Sequence, residues 1–345
     1  MTEPAQLRLA RAAIARLVRA RSALMPVRLP TNDRDVPIDP DVFAFLALMK
    51  RVNEFHPSAA LGRMRRDYDT MGVALDLPRR ELGHVEDVSV DLPGRSLLAR
   101  FYLPRERRQN GPGLVWLHGG GWVIGSLASH DHALRELSHR SGVPVLALDY
   151  RLGPEHRFPA AHDDALEGFL ELRSRAARFG IDPARLALGG DSAGGNLTIS
   201  TALALKERRE PMPAMLVPVY PAVEMVHRAP SRISNGSGYF LTVELMDWFA
   251  DRYARGLPDR ESVRMSVLRA PSFAGLPPTF LTTAGFDPLR DEGEQIARRM
   301  KADGVTIEHR SEDRLVHGYF TMGGIVPEAQ RAHAAIANAV RGTLG

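Results

Sequence analysis

Gly190-Asp191-Ser192-Ala193-Gly194 sets a serine among small residues, directly after a short apolar run and before a helix-like one. A serine hydroxyl is a weak nucleophile unless a neighbouring base takes its proton. Glycines on both sides permit the sharp strand-to-helix turn that exposes such a hydroxyl. The chemistry implied is acyl transfer, which builds negative charge on a carbonyl oxygen. Each preorganised donor at that oxygen is worth about 10²–10³ in rate. His118-Gly119-Gly120-Gly121-Trp122 offers a glycine run whose N–H groups can approach without Cβ interference. The N–H groups of Gly119 and Gly120 are assigned as oxyanion donors, with Ala193 as the third. A phosphate loop would need Gly-Lys-Ser/Thr or a G-x-G-x-x-G spacing, and this segment has neither.

The base must be a histidine, and the chain has 12. His227 and His333 fall in or near helical stretches and His309 inside a strand-like run. His317, followed by Gly318-Tyr319-Phe320, occupies a loop after the last strand. An acid must orient it. Asp287-Pro288 follows the apolar run Thr279 to Ala284 and could supply one. It could equally cap a helix with proline at the first helical position. On the residues alone the two readings stand level, and Asp313 is a rival acid. His130-Asp131-His132 could offer two metal ligands, but no third with suitable spacing is evident and no H-E-x-x-H occurs.

These residues must be held by a scaffold, and the sequence describes one. Val85 to Leu92 and Ser96 to Leu103 read as two strands joined at Pro93-Gly94. Strand-like runs follow at 113–118, 143–149, 186–189, 214–220, 279–284 and 305–309. Helical stretches at about 130–139, 160–179 and 193–208 alternate with them. Such alternation predicts an α/β fold, an eight-stranded and mostly parallel sheet flanked by helices. Sites in these sheets form at the carboxyl ends of strands, where the candidate residues fall. The chain order Ser192, Asp287, His317 is that of an α/β-hydrolase.

Residues 1 to about 80 read as helical and precede the sheet. Leu7, Ala10, Ile14 and Leu17 share one face of a first helix, with Arg8, Arg11, Arg16 and Arg19 elsewhere. Arginines interrupt any secretory signal there. The reading preferred is a helix packed on its own protein, with a membrane-surface helix as the alternative. A second helix, 41–51, carries Val42, Phe45, Leu46 and Met49, and a third, 58–71, carries Leu61, Met64, Tyr68 and Met71.

With 345 residues, 44% of them hydrophobic and 25% charged, the chain can bury a core without staples. It has no cysteine, which removes disulfides, zinc ribbons and thiol nucleophiles. The net charge of +4 comes from arginines interleaved with Asp and Glu, so no nucleic-acid surface is expected. No run approaches the ~20 apolar residues of a membrane span, so no stable insertion is expected. The expected location is the cytoplasm, and a homodimer is an admissible assembly.

Taken together, five motifs in order resemble the bacterial hormone-sensitive-lipase family of esterases. They are His118 to Trp122; Asp149-Tyr150-Arg151-Leu152-Gly153-Pro154-Glu155-His156; Gly190 to Gly195 with Asn196-Leu197; Asp287-Pro288-Leu289; and His317-Gly318. The resemblance runs from about residue 85 to the C-terminus. It implies Asp287 as the triad acid and a structural role for His130-Asp131. It also implies a helical cap from residues 1–80 over a catalytic domain, 81–345, with a second cap piece at about 223–256. Gly238-Tyr239-Phe240-Leu241-Thr242 in that piece is family-like as well. The implied substrates are small-molecule esters with short- to medium-chain acyl groups, and no metal or cofactor is implied. Gly153 stands where the family usually has alanine, a change expected to matter little. Trp122, Asp191 and Met49 are the candidates for substrate contact, with Met64 and Met71 as further cap lining. A non-catalytic binding protein on the same scaffold is the competing reading, and the retained His317 argues against it. An amidase finds no supporting feature.

Overall fold

The computed structural model describes residues 5–24, 28–52, 60–107 and 109–345. Three helices come first: α1 (Ala5–Ala23), α2 (Pro40–Val52) and α3 (Leu61–Leu75). Asp39 caps α2, its Oδ1 accepting the N–H groups of Asp41 at 2.9 Å and Val42 at 3.2 Å, with Pro40 opening the helix. The predicted hairpin follows as β1 (His84–Leu92) and β2 (Arg95–Leu103), with Gly94 at φ 72° in the turn. The remaining strands are β3 (Gly111–Leu117), β4 (Val145–Asp149), β5 (Ile181–Asp191), β6 (Leu216–Val219), β7 (Thr279–Phe286) and β8 (Ile307–Val316). Between and after them lie α4 (Asp131–Ser141), α5 (Ala160–Ser174), α6 (Ala193–Arg208), α7 (Ser231–Ser234), α8 (Val243–Tyr253), α9 (Leu257–Glu261), α10 (Arg290–Ala302) and α11 (Pro327–Leu344).

The strands form one eight-stranded sheet in the order β1-β2-β4-β3-β5-β6-β7-β8. β1, β2 and β4 pair antiparallel, and every pairing from β4 through β3 to β8 is parallel. Alternation along β3 explains the two covered faces. Val115 and Leu117 enter a core with α5, α6 and α10, whereas Leu114 and Trp116 enter one with α4 and α11. Ala15, Val18, Val42, Phe45 and Met71 of the N-terminal helices join the second core.

Two expectations need correction. The strand read at 305–309 extends to Val316, because an edge strand tolerates the charged run Glu308 to Arg314 that masks it in sequence. Helix α1 does pack on its own protein, but on a different face. Arg11, Ala15 and Val18 are buried and Leu17 is exposed. The Arg11 guanidinium donates to Val73 O at 3.0 Å and lies 3.3 Å from His132 Nδ1, which permits its burial.

Candidate active site

Ser192 sits between the end of β5 and the start of α6, at φ 56° and ψ −115°. A non-glycine residue there is strained. The turn closes because its neighbours lack Cβ atoms. A Cβ on Gly194 would stand 1.9 Å from Leu117 O and one on Gly190 2.4 Å from it. Ser192 N donates to Val219 O at 2.9 Å, tying the turn to β6.

His317 follows β8 and Asp287 follows β7, so both arrive at the same edge of the sheet as the serine. Asp287 Oδ2 accepts from His317 Nδ1 at 2.7 Å, and His317 Nε2 lies 2.9 Å from Ser192 Oγ. A carboxylate only accepts, so Nδ1 carries the proton and Nε2 is left to accept the serine hydroxyl. Asp287 is fully buried. Its other oxygen accepts Leu289 N–H at 2.8 Å, and α10 begins at Arg290. Leu289 is the residue that precedes the helix, so Asp287 closes a turn ahead of α10 and does not cap it, and Pro288 lies before the first helical position. Asp313 is exposed and bonded to Ser311.

The oxyanion assignment needs one correction. Gly119 N donates to Asp191 Oδ1 at 3.1 Å and so already has its acceptor. Gly120, Gly121 and Ala193 border the cavity in front of Ser192. Among the described residues their N–H groups have no acceptor. Gly120 at φ 120° and Gly121 at φ 59° adopt backbone that glycine favours. A Cβ at Gly120 would meet Ile124 O at 2.2 Å.

Asp191 borders the cavity too, yet its carboxylate serves the loop. Besides Gly119 N–H, Oδ1 accepts Trp116 Nε1–H at 3.3 Å and lies 3.1 Å from His130 Nε2. Burial alone would raise the Asp191 pKa, but His130 and the hydrogen bonds hold it below the usual carboxylate range. His118 is stacked on Tyr150 at 4.2 Å, and burial pushes its pKa down to about 4. Tyr150 Oη donates to His118 O at 2.7 Å. Arg151 binds Asp164, and Glu155 holds Arg65 of α3 at 2.7 and 2.9 Å. Tyr150 thus braces the glycine loop, Arg151 ties its segment to α5, and Glu155 fastens α3. His130 and His132 diverge, the latter's Nδ1 lying 3.0 Å from Leu77 O. Among the described residues no three His, Asp or Glu gather as a metal site.

The cavity is narrow, about 90 Å³. Trp122 is on its wall, its ring stacked 5.3 Å from that of Tyr253. Behind it Asn196 donates to Ala222 O and Met265 O at 2.7 Å, leaving its Oδ1 for His162 Nε2–H at 3.1 Å. His162 Nδ1 then accepts Tyr253 Oη–H at 2.8 Å. Burial pushes the His162 pKa down to about 3, consistent with this neutral form. Met49 is half-buried against the second core and absent from the cavity wall, and Met64 and Met71 are core residues. The wall is instead Tyr68 of α3, Met225, Phe240 and Leu241, with Leu245, Met246 and Phe249 of α8. Sequence reasoning missed these, although Phe240 and Leu241 lie in the 238–242 motif. Gly153 also matters more than expected, since a Cβ there would stand 2.9 Å from Arg252 O at the end of α8.

A serine, histidine and aspartate joined at strand ends before an apolar cavity define a hydrolase site, and the chain belongs to the α/β-hydrolase fold family, whose model matches residues 114–321. Within it, the chain is one of the ester hydrolases akin to hormone-sensitive lipase. It is 34% identical to the ethyl acetate hydrolase of Pseudomonas putida, over 88% of this chain and 98% of that one. It is 33% identical to an arylesterase of Saccharolobus solfataricus, over 82% and 92%. Among solved structures, an ester hydrolase from the metagenome of Lake Arreo matches with a TM-score of 0.85 and 34% identity, covering 88% of this chain and 98% of that one.

Proposed function

We propose that Ser192, His317 and Asp287 hydrolyse carboxylic esters with short- to medium-chain acyl groups through an acyl-enzyme. The observation that carries this reading is the unbroken run of hydrogen bonds from Asp287 Oδ2 through His317 to Ser192 Oγ at the cavity floor. His317 Nε2 takes the serine proton as Oγ bonds to the carbonyl carbon, and Asp287 steadies the imidazolium. The carbonyl electron pair moves onto oxygen, facing the N–H groups of Gly120, Gly121 and Ala193. Collapse expels the alkoxide, which takes the proton from His317. Water then attacks the acyl-serine, passes a proton through His317 to Oγ, and releases the carboxylic acid.

Residues 1–80 and about 223–256 serve in this reading as a cap over a catalytic domain, 81–345. The support is that α3 and α8 supply much of the cavity wall. The narrow, apolar cavity supports short and medium acyl chains over long ones. No observation favours the binding-protein reading.

Hydrolysis of p-nitrophenyl esters from acetate to palmitate tests the proposal. Turnover should peak at short or medium chains, and Ser192→Ala should lower kcat by about 10⁴–10⁶ while the fold survives. Wild-type turnover in that variant would remove the nucleophile assignment.

A further inference from the structure

Helix α1 has two apolar sides. One, centred on Ala15 and Val18, is buried. On the other, Leu9 is 70% exposed, Leu17 58% and, just past the helix end, Leu24 86%. Ala13 and Ala20 are exposed between them. At about 100° per residue these five positions span an arc of about 80°, opposite the buried side. A solvent-facing helix side is ordinarily polar. Three of the seven large hydrophobic side chains exposed among the described residues gather here. Arg8, Arg16 and Arg19 border the arc on one side and Arg21 on the other. The helix holds five arginines and no acidic residue.

We propose that this face of α1 docks peripherally on an anionic lipid surface. Leucines flanked by cations suit the boundary between headgroups and acyl chains, the leucines entering it and the guanidinium groups meeting phosphates. Burying the same face against a second copy would set arginine against arginine with no acid to compensate, so self-association is disfavoured. Among the described residues no helix is long and apolar enough to cross a membrane, so the contact is with the surface.

Co-sedimentation of the full chain with vesicles tests this, using phosphatidylcholine alone or mixed with phosphatidylglycerol. The protein should sediment with the mixed vesicles only, and high salt should weaken the association. The triple variant Leu9→Ser/Leu17→Ser/Leu24→Ser keeps the charge and should bind at least about tenfold more weakly. Its turnover of a soluble ester should match the wild type, which separates lost docking from lost folding. Failure of the wild type to bind mixed vesicles would overturn the proposal. So would equal binding by the triple variant, since net positive charge alone would then account for it. A change from dimer to monomer in that variant would assign the face to a second copy instead.

Discussion

The strand ends that carry Ser192 and the helices that cover them are built on different principles. Beneath, position is set by backbone. Ser192 is held at φ 56°, the loop glycines leave no room for a Cβ, and Asp191 and Tyr150 each bind the backbone of the glycine loop. Above, the wall is made mainly by apolar side chains from separate segments, Tyr68, Phe240, Met246 and Phe249. The lower region can hold reacting atoms within a few tenths of an ångström. The upper one is pliable, and methionine at two of its positions adds to that. Reaction type thus belongs to the first region and substrate range to the second.

The sharpest break of this comparison is Gly120→Ala. Its Cβ would meet the Ile124 carbonyl in backbone that disfavours alanine, so the loop must shift and its donors with it. We expect kcat to fall about 10²–10³-fold with KM little changed. A variant with normal kcat would mean that this loop does not hold the oxyanion. Asp191→Asn should cost less, roughly 10- to 100-fold in kcat, because the side chain keeps its size but loses the charge that holds Gly119 N–H and faces His130. Equal loss in kcat and stability would indicate a purely structural role. Activity against chain length should keep its profile in both variants.

That division also explains what could be read in the sequence. Ser192 and His317 were legible from local pattern and chain order at strand ends, whereas Asp287 stood level with a helix-capping role on the residues alone and was singled out only by the family resemblance. The eight strands were legible through their apolar runs, apart from the extension of β8 and the early start of β5 at Ile181, which the polar stretch Asp182 to Arg185 masks. The error at Gly119 has a rotational origin. Which N–H groups of a glycine run face the cavity depends on Asp191, a contact across 72 residues. Met49 failed for the same class of reason. The apolar stripe of a covering helix does not state which neighbour it meets, and α2 turned to the core while Met225 and Met246 took the wall.

In the covering layer, Met246→Ala should leave kcat on acetate esters within about threefold. It should shift preference toward longer chains by up to about tenfold, the scale of one or two methylenes in an apolar pocket. An unchanged profile, with Phe249→Ala also silent, would remove α8 from the acyl site.

The smallest effect concerns how that layer is fastened. Asp76, which ends α3, is buried, and burial pushes its pKa from 3.8 up to about 8, with Leu77 N–H and the Arg11 charge opposing the shift. The folded protein therefore keeps a proton on Asp76 that the unfolded chain releases above about pH 4. Stability from this group is full below that pH and is lost as pH rises toward about 8. Asp76→Asn is neutral at every pH and close in size, so it removes the dependence. Its Tm should lie near that of the wild type at about pH 5 and exceed it by a few degrees at about pH 9. A constant offset between the two proteins would show that Asp76 titrates normally and that α3 is fastened mainly through Arg65 and Glu155.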